Sequence, residues 1–208
     1  IPLPSETEKS YFDGVKFLMD NEVQTRTYTL MMLCGAELGR DKAIKEFGMK
    51  SKWRILPKQF GNYKGRKIFE IEQICVGTNS MTYEEYLRCR NYSFIVKLMG
   101  HSVLKPIKKL TDKLGIKWFD FSRAVSELIQ NNKYKGKFKD LFKEFCKESH
   151  EELFDTKEEA IQFYSKKENY KALMNGDIGE NLMTKYTGRG LLILDDIIST
   201  LFYVIRDK

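Results

Sequence analysis

Residues 1–21 read Ile1-Pro2-Leu3-Pro4 followed by SETEKSYFDGVKFLMDN, and how this stretch is read decides the fold. Ile1-Pro2-Leu3-Pro4 has the composition of the last residues of a buried strand entering a turn. Ser5 and Glu8 have the spacing of a capping box, in which each side chain satisfies a backbone N–H that a helix start leaves unpaired, so a helix is predicted to begin at once. Tyr11, Val15, Leu18 and Met19 recur at helical spacing, and Asn21 is a suitable terminator. TRTYTLMML over residues 25–33 is β-branched and apolar and has the length of a buried strand, broken by Cys34-Gly35-Ala36. Strand end, helix and strand in succession predict a βαβ unit with a parallel pairing. The first segment is thus read as the tail of an α/β sheet whose earlier strands precede Ile1.

Outward from this unit, Arg40 to Phe47 can form a short helix stopped by Gly48. WRIL (53–56) and KIFEIEQICV (67–76) have strand composition. The intervening LPKQFGNYKGR carries Pro57, Gly61, Asn62 and Gly65, which predicts a β-hairpin with a long loop. Beyond Thr78-Asn79-Ser80 the pattern is helical. Thr82 and Glu85 make a second capping box, with a helix running to Gly100. Further helices are predicted over 103–114 with Pro106 in the first turn, 118–130, 137–153, 156–174 and 179–206, with Asp155 and Glu158 as another N-terminal signal. Phe138, Leu141, Phe142 and Phe145 form an aromatic and aliphatic stripe at helical spacing, the pattern of a core face. The division along the chain is 1–50, sheet remnant; 51–80, hairpin connector; 81–208, helical domain.

Composition excludes several function classes. With 208 residues, 42% hydrophobic and 13% aromatic, the chain can bury a core and is not a disordered tail. The longest apolar run, residues 191–205, is interrupted by Asp195 and Asp196 and is shorter than a membrane span. No secretory leader pattern is present, so a cytoplasmic protein is expected. The formal charge of +7 is spread among acidic residues rather than gathered on one stretch, which does not point to nucleic acid. Cys34, Cys75, Cys89 and Cys146 are far apart, His101 and His150 are isolated, and no local metal-ligand spacing exists. Glu70 and Glu72 share a strand face and could act as a proton donor and acceptor, anchor Arg54, Arg66 or Arg88, or lie on a solvated face. Trp53, Tyr63 and Phe69 alternate with Lys52, Arg54, Lys64 and Arg66, the local pattern closest to base stacking with phosphate contact.

Two stretches carry a resemblance. PLPSETEKSYFDGVKFLMDN followed by TYTLMMLCGAEL resembles the last βαβ unit of the radical S-adenosylmethionine (SAM) barrel, where a G-[LF]-P-G-E-T turn opens a helix and the next strand ends in a P-G-T-like loop. SKWRILPKQFGNYKGRKIFEIEQICVGTNSMTYEEYLRCR is similar to the segment that follows the barrel in the cobalamin-binding class of that family, and NYKALMNGDIGENLMTKY to its helical tail. The resemblance implies an α/β remnant, the last βαβ unit of a partial radical SAM barrel, followed by a β-hairpin and a predominantly helical C-terminal domain. It further implies a missing N-terminal barrel and an optional cobalamin domain in the same protein. The parent enzyme would hold a 4Fe-4S cluster on three closely spaced cysteines, SAM on the cluster's free iron, and in some members cobalamin. This chain has no such cysteine triplet, so no catalytic or metal-ligating residue is assigned. The portion alone is expected to hold none of these cofactors and to be inactive.

Because ligands sit at the C-terminal ends of barrel strands, the resemblance marks three cofactor-binding residues: Leu33 against the adenine, Gly35 for close backbone approach, and Glu6 as an acceptor. Pro2 and Ser5 stand where that family usually has glycine, and Cys34-Gly35-Ala36 where it has Pro-Gly-Thr. The alternative is a non-catalytic helical interaction module that binds a protein or RNA partner through the basic hairpin.

Overall fold

A computed structural model of the chain describes residues 1–207. Two compact units interleave along the sequence. The first comprises residues 1–7, 28–87 and 148–182, the second residues 8–27, 88–147 and 183–208.

The first unit is built on an antiparallel hairpin of β1 (Lys50–Tyr63) and β2 (Arg66–Gly77). The long loop expected between the strands is absent. Both strands continue to a two-residue turn in which Lys64 (φ 49°) and Gly65 (φ 81°) are left-handed, the type I′ geometry whose twist matches that of the flanking strands. Pro57 lies in a bulge instead. Pairing runs from Ile55–Ile71 directly to Phe60–Phe69, leaving extra residues on β1 where proline cannot donate to the ladder and Lys58 has φ 65°. Helices α7 (Lys157–Ser165) and α8 (Lys167–Asn175) pack over the hairpin. Ile55, Ile71, Ala160, Tyr164 and Leu173 form the core there, with Trp53, Phe60, Phe69 and Phe154 around it. The single helix expected over 156–174 is broken at Lys166, whose ψ of 143° is extended. The capping box is formed by Thr156 and Glu159, not by Asp155 and Glu158.

Residues 28–32 are not the full strand expected, but they are hydrogen-bonded on both edges. The Ile1 amino group donates to the Tyr28 carbonyl and Leu30 N donates to the Ile1 carbonyl at 3.0 Å. Two bonds bracketing Thr29 in this way are the parallel pattern. On the other edge Met32 N donates to Gln73 O and Cys75 N to Leu30 O, both at 2.8 Å, in antiparallel sense around Met31 and Ile74. Beneath them Met32, Met49 and Cys75 pack with Leu30, Leu38, Ile44 and Phe47, the last two on α2 (Asp41–Phe47), which ends at Gly48 as expected.

The second unit is helical: α1 (Glu8–Asp20), the residues from Arg88 onward of α3 (Tyr83–Met99), α4 (Lys105–Lys113), α5 (Trp118–Gln130), residues 137–147 of α6 (Lys137–Glu151), the residues from Met183 onward of α9 (Leu182–Leu192), and α10 (Leu194–Arg206). The expected helix over 179–206 is two helices. α1 starts at Glu8, not at Ser5, and the Ser5–Glu8 box does not form. Phe138, Leu141, Phe142 and Phe145 are all buried. Phe145 stacks on Phe94 at 4.4 Å and meets Tyr186 edge-on at 5.5 Å, the preferred geometries of aromatic pairs.

A left-handed Lys64 costs a β-carbon clash that Asn tolerates better. Lys64→Asn is therefore expected to stabilise the chain by about 0.5–1 kcal/mol in guanidinium unfolding, whereas Phe145→Ala, which opens a cavity, is expected to cost about 3–5 kcal/mol.

Candidate functional site

The parallel register set by Ile1 and Thr29 brings the Pro4-Ser5 turn and the Cys34-Gly35 turn to the same, C-terminal, end of the paired segments. This is the end at which α/β barrels bind ligands. The first turn is closed by its own atoms. Glu6 N donates to Leu3 O at 3.1 Å, and Leu3 N donates to the Glu6 carboxylate at 2.8 Å. The Glu6 carbonyl accepts from Ser80 Oγ at 2.9 Å. Glu6 thus serves first as the brace of this turn. Ser5 has φ 62°, a left-handed conformation that favours glycine.

The second turn is a Leu33 to Ala36 reverse turn, with Ala36 N donating to Leu33 O at 3.1 Å. Gly35, its third residue, has φ 85°, and a β-carbon there would meet nothing within 4 Å. Conformation rather than space demands glycine, as in a type II turn. Gly39 is the reverse case: a β-carbon would lie 2.3 Å from the Leu33 carbonyl oxygen. This close approach holds the loop against the end of the segment, and sequence reading did not single it out.

Alternation along the pair separates two faces. Pro2 and Met32 are buried. On the other face Leu3, Met31 and Leu33 are 49%, 43% and 54% exposed. Leu33 and Gly35 therefore border an open apolar surface, with Cys34 exposed beside them.

Two of the hairpin's basic residues, Lys52 and Arg54, are held by carboxylates. Arg54 Nε donates to Glu72 at 2.5 Å and Nη1 to Glu152 at 3.3 Å. Burial alone would lower the Arg54 pKa, but the Glu152 and Glu72 carboxylates more than offset it and raise it above its ordinary value. Of the three readings of the acidic pair, anchoring of Arg54 is the one formed by Glu72, while Glu70 is exposed. Arg88 instead pairs with Glu8. Lys52 donates to Asp155 at 2.5 Å and holds its carboxyl below the usual range. Phe69 packs on Tyr164 and Tyr170. Trp53 exchanges backbone hydrogen bonds with Phe154, both at 2.8 Å. Tyr63 alone of the three hairpin aromatics considered for stacking is exposed.

His101 Nδ1 accepts from Val103 N at 3.4 Å and caps a short 3-10 turn, and His150 lies at 6.0 Å from the Tyr83 ring. No group of three His, Cys, Asp or Glu side chains among the described residues is placed to hold a metal ion. No helix among them is long and apolar enough to cross a membrane.

Removing Arg54 would strand two carboxylates in a half-buried site. Arg54→Ala is expected to cost about 3–5 kcal/mol in denaturant unfolding, with less lost when Glu72→Gln and Glu152→Gln accompany it. Burial pushes the Cys146 thiol up to about 12, whereas an unfolded thiol ionises near about 8.5. Stability from this group is complete below the unfolded value and is lost as pH rises from there toward 12. The measured stability should fall above pH ~8.5, less steeply in Cys146→Ala. In iodoacetamide labelling of the native chain, exposed Cys34 should react first.

No family model matches this chain, and no curated protein matches it.

Proposed function

We propose that the chain is the C-terminal portion of a radical SAM enzyme of the cobalamin-binding class, whose two end turns form part of the SAM pocket. The observation that carries this reading is the parallel pairing of Ile1 with Tyr28–Leu30, combined with the exposed apolar face of Leu3, Met31 and Leu33. An exposed apolar face on a paired segment calls for a cover, and a further part of a barrel would supply it. In this reading Leu33 packs against the adenine, the open Gly35 turn presents its backbone to the cofactor, and Glu6 holds the neighbouring turn in shape.

The described residues do not fit an iron–sulfur cluster. Cys75 and Cys89 are buried, Cys34 stands by itself in a turn, and Cys146 is half-buried on α6. The three thiolates of such a cluster must come from a part of the protein outside this chain, and no reaction step is assigned to its residues. The helical portion would shape the substrate side of the enzyme. The rival reading, a basic hairpin that grips RNA, is weakened by the commitment of Phe69, Trp53 and Arg54 to the hairpin's own core and ion pairs.

The coding sequence immediately upstream of Ile1 tests the proposal. It should continue in frame and encode a C-x-x-x-C-x-x-C loop; an in-frame stop directly upstream would sink it. In the longer product, reconstituted anaerobically with iron and sulfide, Gly35→Val is expected to weaken SAM binding by about tenfold while leaving the cluster's visible absorbance unchanged.

A further inference from the structure

The second unit contains a groove of about 860 Å³ between α1, α3 and α5, within the size range of small-molecule sites. Phe12, Tyr92 and Phe119 provide its aromatic walls, and Asn91, Arg123 and Glu127 are among the polar residues along it. Four cations and three carboxylates line it, and most of this charge is already spent. Lys9 donates to Asp13 at 2.5 Å and Lys16 to Asp20 at 2.6 Å, while Arg88 makes a two-pronged pair with Glu8 at 2.6 and 2.8 Å.

Arg123 differs. Its guanidinium lies 4.3 Å from the centre of the Phe12 ring and 5.3 Å from that of Tyr92. Among the described residues its nearest carboxylate is that of Glu127, at 3.6 Å, beyond good hydrogen-bonding distance. A guanidinium seated over rings, without a hydrogen-bonded carboxylate, is left with N–H donors for a planar anion. Nearby on α3 the Asn91 side-chain oxygen is buried and has no hydrogen-bond partner among the described residues, a state that costs free energy until a donor arrives.

We propose that this groove binds a small aromatic or apolar carboxylic acid carrying an O–H or N–H donor. The Arg123 fork takes the carboxylate, the Phe12 and Phe119 walls take the apolar body, and Asn91 accepts the donor's hydrogen. Glu127 is the competing anion that the ligand displaces from the guanidinium. The site lies wholly within the second unit and does not depend on the enzyme reading above.

The test is titration of the ¹⁵N-labelled 208-residue chain with 4-hydroxybenzoate, following the Arg123 Nε–Hε signal by NMR, with inorganic phosphate as a second probe. A saturable shift is expected with 4-hydroxybenzoate, weakened by added NaCl. Arg123→Gln should raise the apparent Kd by about tenfold or more, and Arg123→Lys, which keeps charge but loses the fork, by less. Because Arg123→Gln also removes ring stacking, the exposed Glu127→Gln gives an independent reading and should tighten binding by about twofold or more by removing the competitor. Absence of a saturable shift, or a shift indifferent to both substitutions, overturns the proposal. Tighter binding of phosphate than of 4-hydroxybenzoate at Arg123 overturns the carboxylate assignment.

Discussion

The double-edged backbone pairing of residues 28–32 governs the first unit. These residues bond to Ile1 on one side and to β2 on the other; β2 bonds to β1, and β1 at Trp53 bonds to Phe154. A hairpin with only two long strands thereby becomes a ladder five segments wide. Buried backbone groups must find partners, and this pairing supplies them where Met32 and Cys75 are buried in one cluster. The same ladder sets the site. With Thr29 locked beside Ile1, both segments run out at one end, and their turns inherit that position. Gly39 pressed on the Leu33 carbonyl and Ser80 on the Glu6 carbonyl then restrict how far either turn can move.

Local signals in the sequence succeeded where the decisive interaction is itself local. Thr82 N donates to Glu85 at 2.7 Å and Glu85 N to Thr82 Oγ1 at 3.2 Å, so the second capping box needs nothing beyond four residues. The stripe from Phe138 to Phe145 and the stop at Gly48 are of the same kind. The reading failed where a distant demand overrode the local one. Ser5 and Glu8 have the right spacing, but the turn needs Ser5 left-handed and uses Glu6 as its brace, which delays the helix to Glu8. The helix expected from 156 to 174 fails for a geometric reason. Tyr164 and Leu173 are nine residues apart, about half a turn out of phase on a straight helix, yet both enter the core under Ile55 and Ile71. The break at Lys166 rotates the second half so that Leu173 can reach it. Nothing in Ser165-Lys166-Lys167 announces this, because the cause is the shape of the hairpin.

The candidate site was legible to the same extent. Leu33 and Gly35 could be placed at a strand end from chain order alone, but the two different requirements for glycine, conformation at Gly35 and close approach at Gly39, depend on backbone contacts that spacing does not reveal. The groove was not legible at all. Phe12, Asn91 and Arg123 come from three separate helices, and in the sequence Arg123 is one cation among many. Its distinction is what it lacks among the described residues, a carboxylate at hydrogen-bonding distance, while the neighbouring acids are taken by Lys9, Lys16 and Arg88.

Charge and aromatic content therefore have to be judged by what remains after internal pairing. The hairpin has the strongest basic and aromatic interleaving in the chain, yet Arg54 is shared between Glu72 and Glu152, and Trp53, Phe60 and Phe69 surround an apolar core. What survives at its surface is Tyr63 and Ile68 with Lys58, Lys64 and Arg66. The parallel pair gives the opposite result. Its residues look like an ordinary buried strand, but Leu3, Met31 and Leu33 stay in water, at a cost of about 25 cal/mol per Å² of apolar area. The hairpin thus keeps exposed cations around its turn, whereas the apolar face of Leu3, Met31 and Leu33 lies beside two backbone turns. The contrast between these two surfaces is what the proposed reading of the first unit rests on.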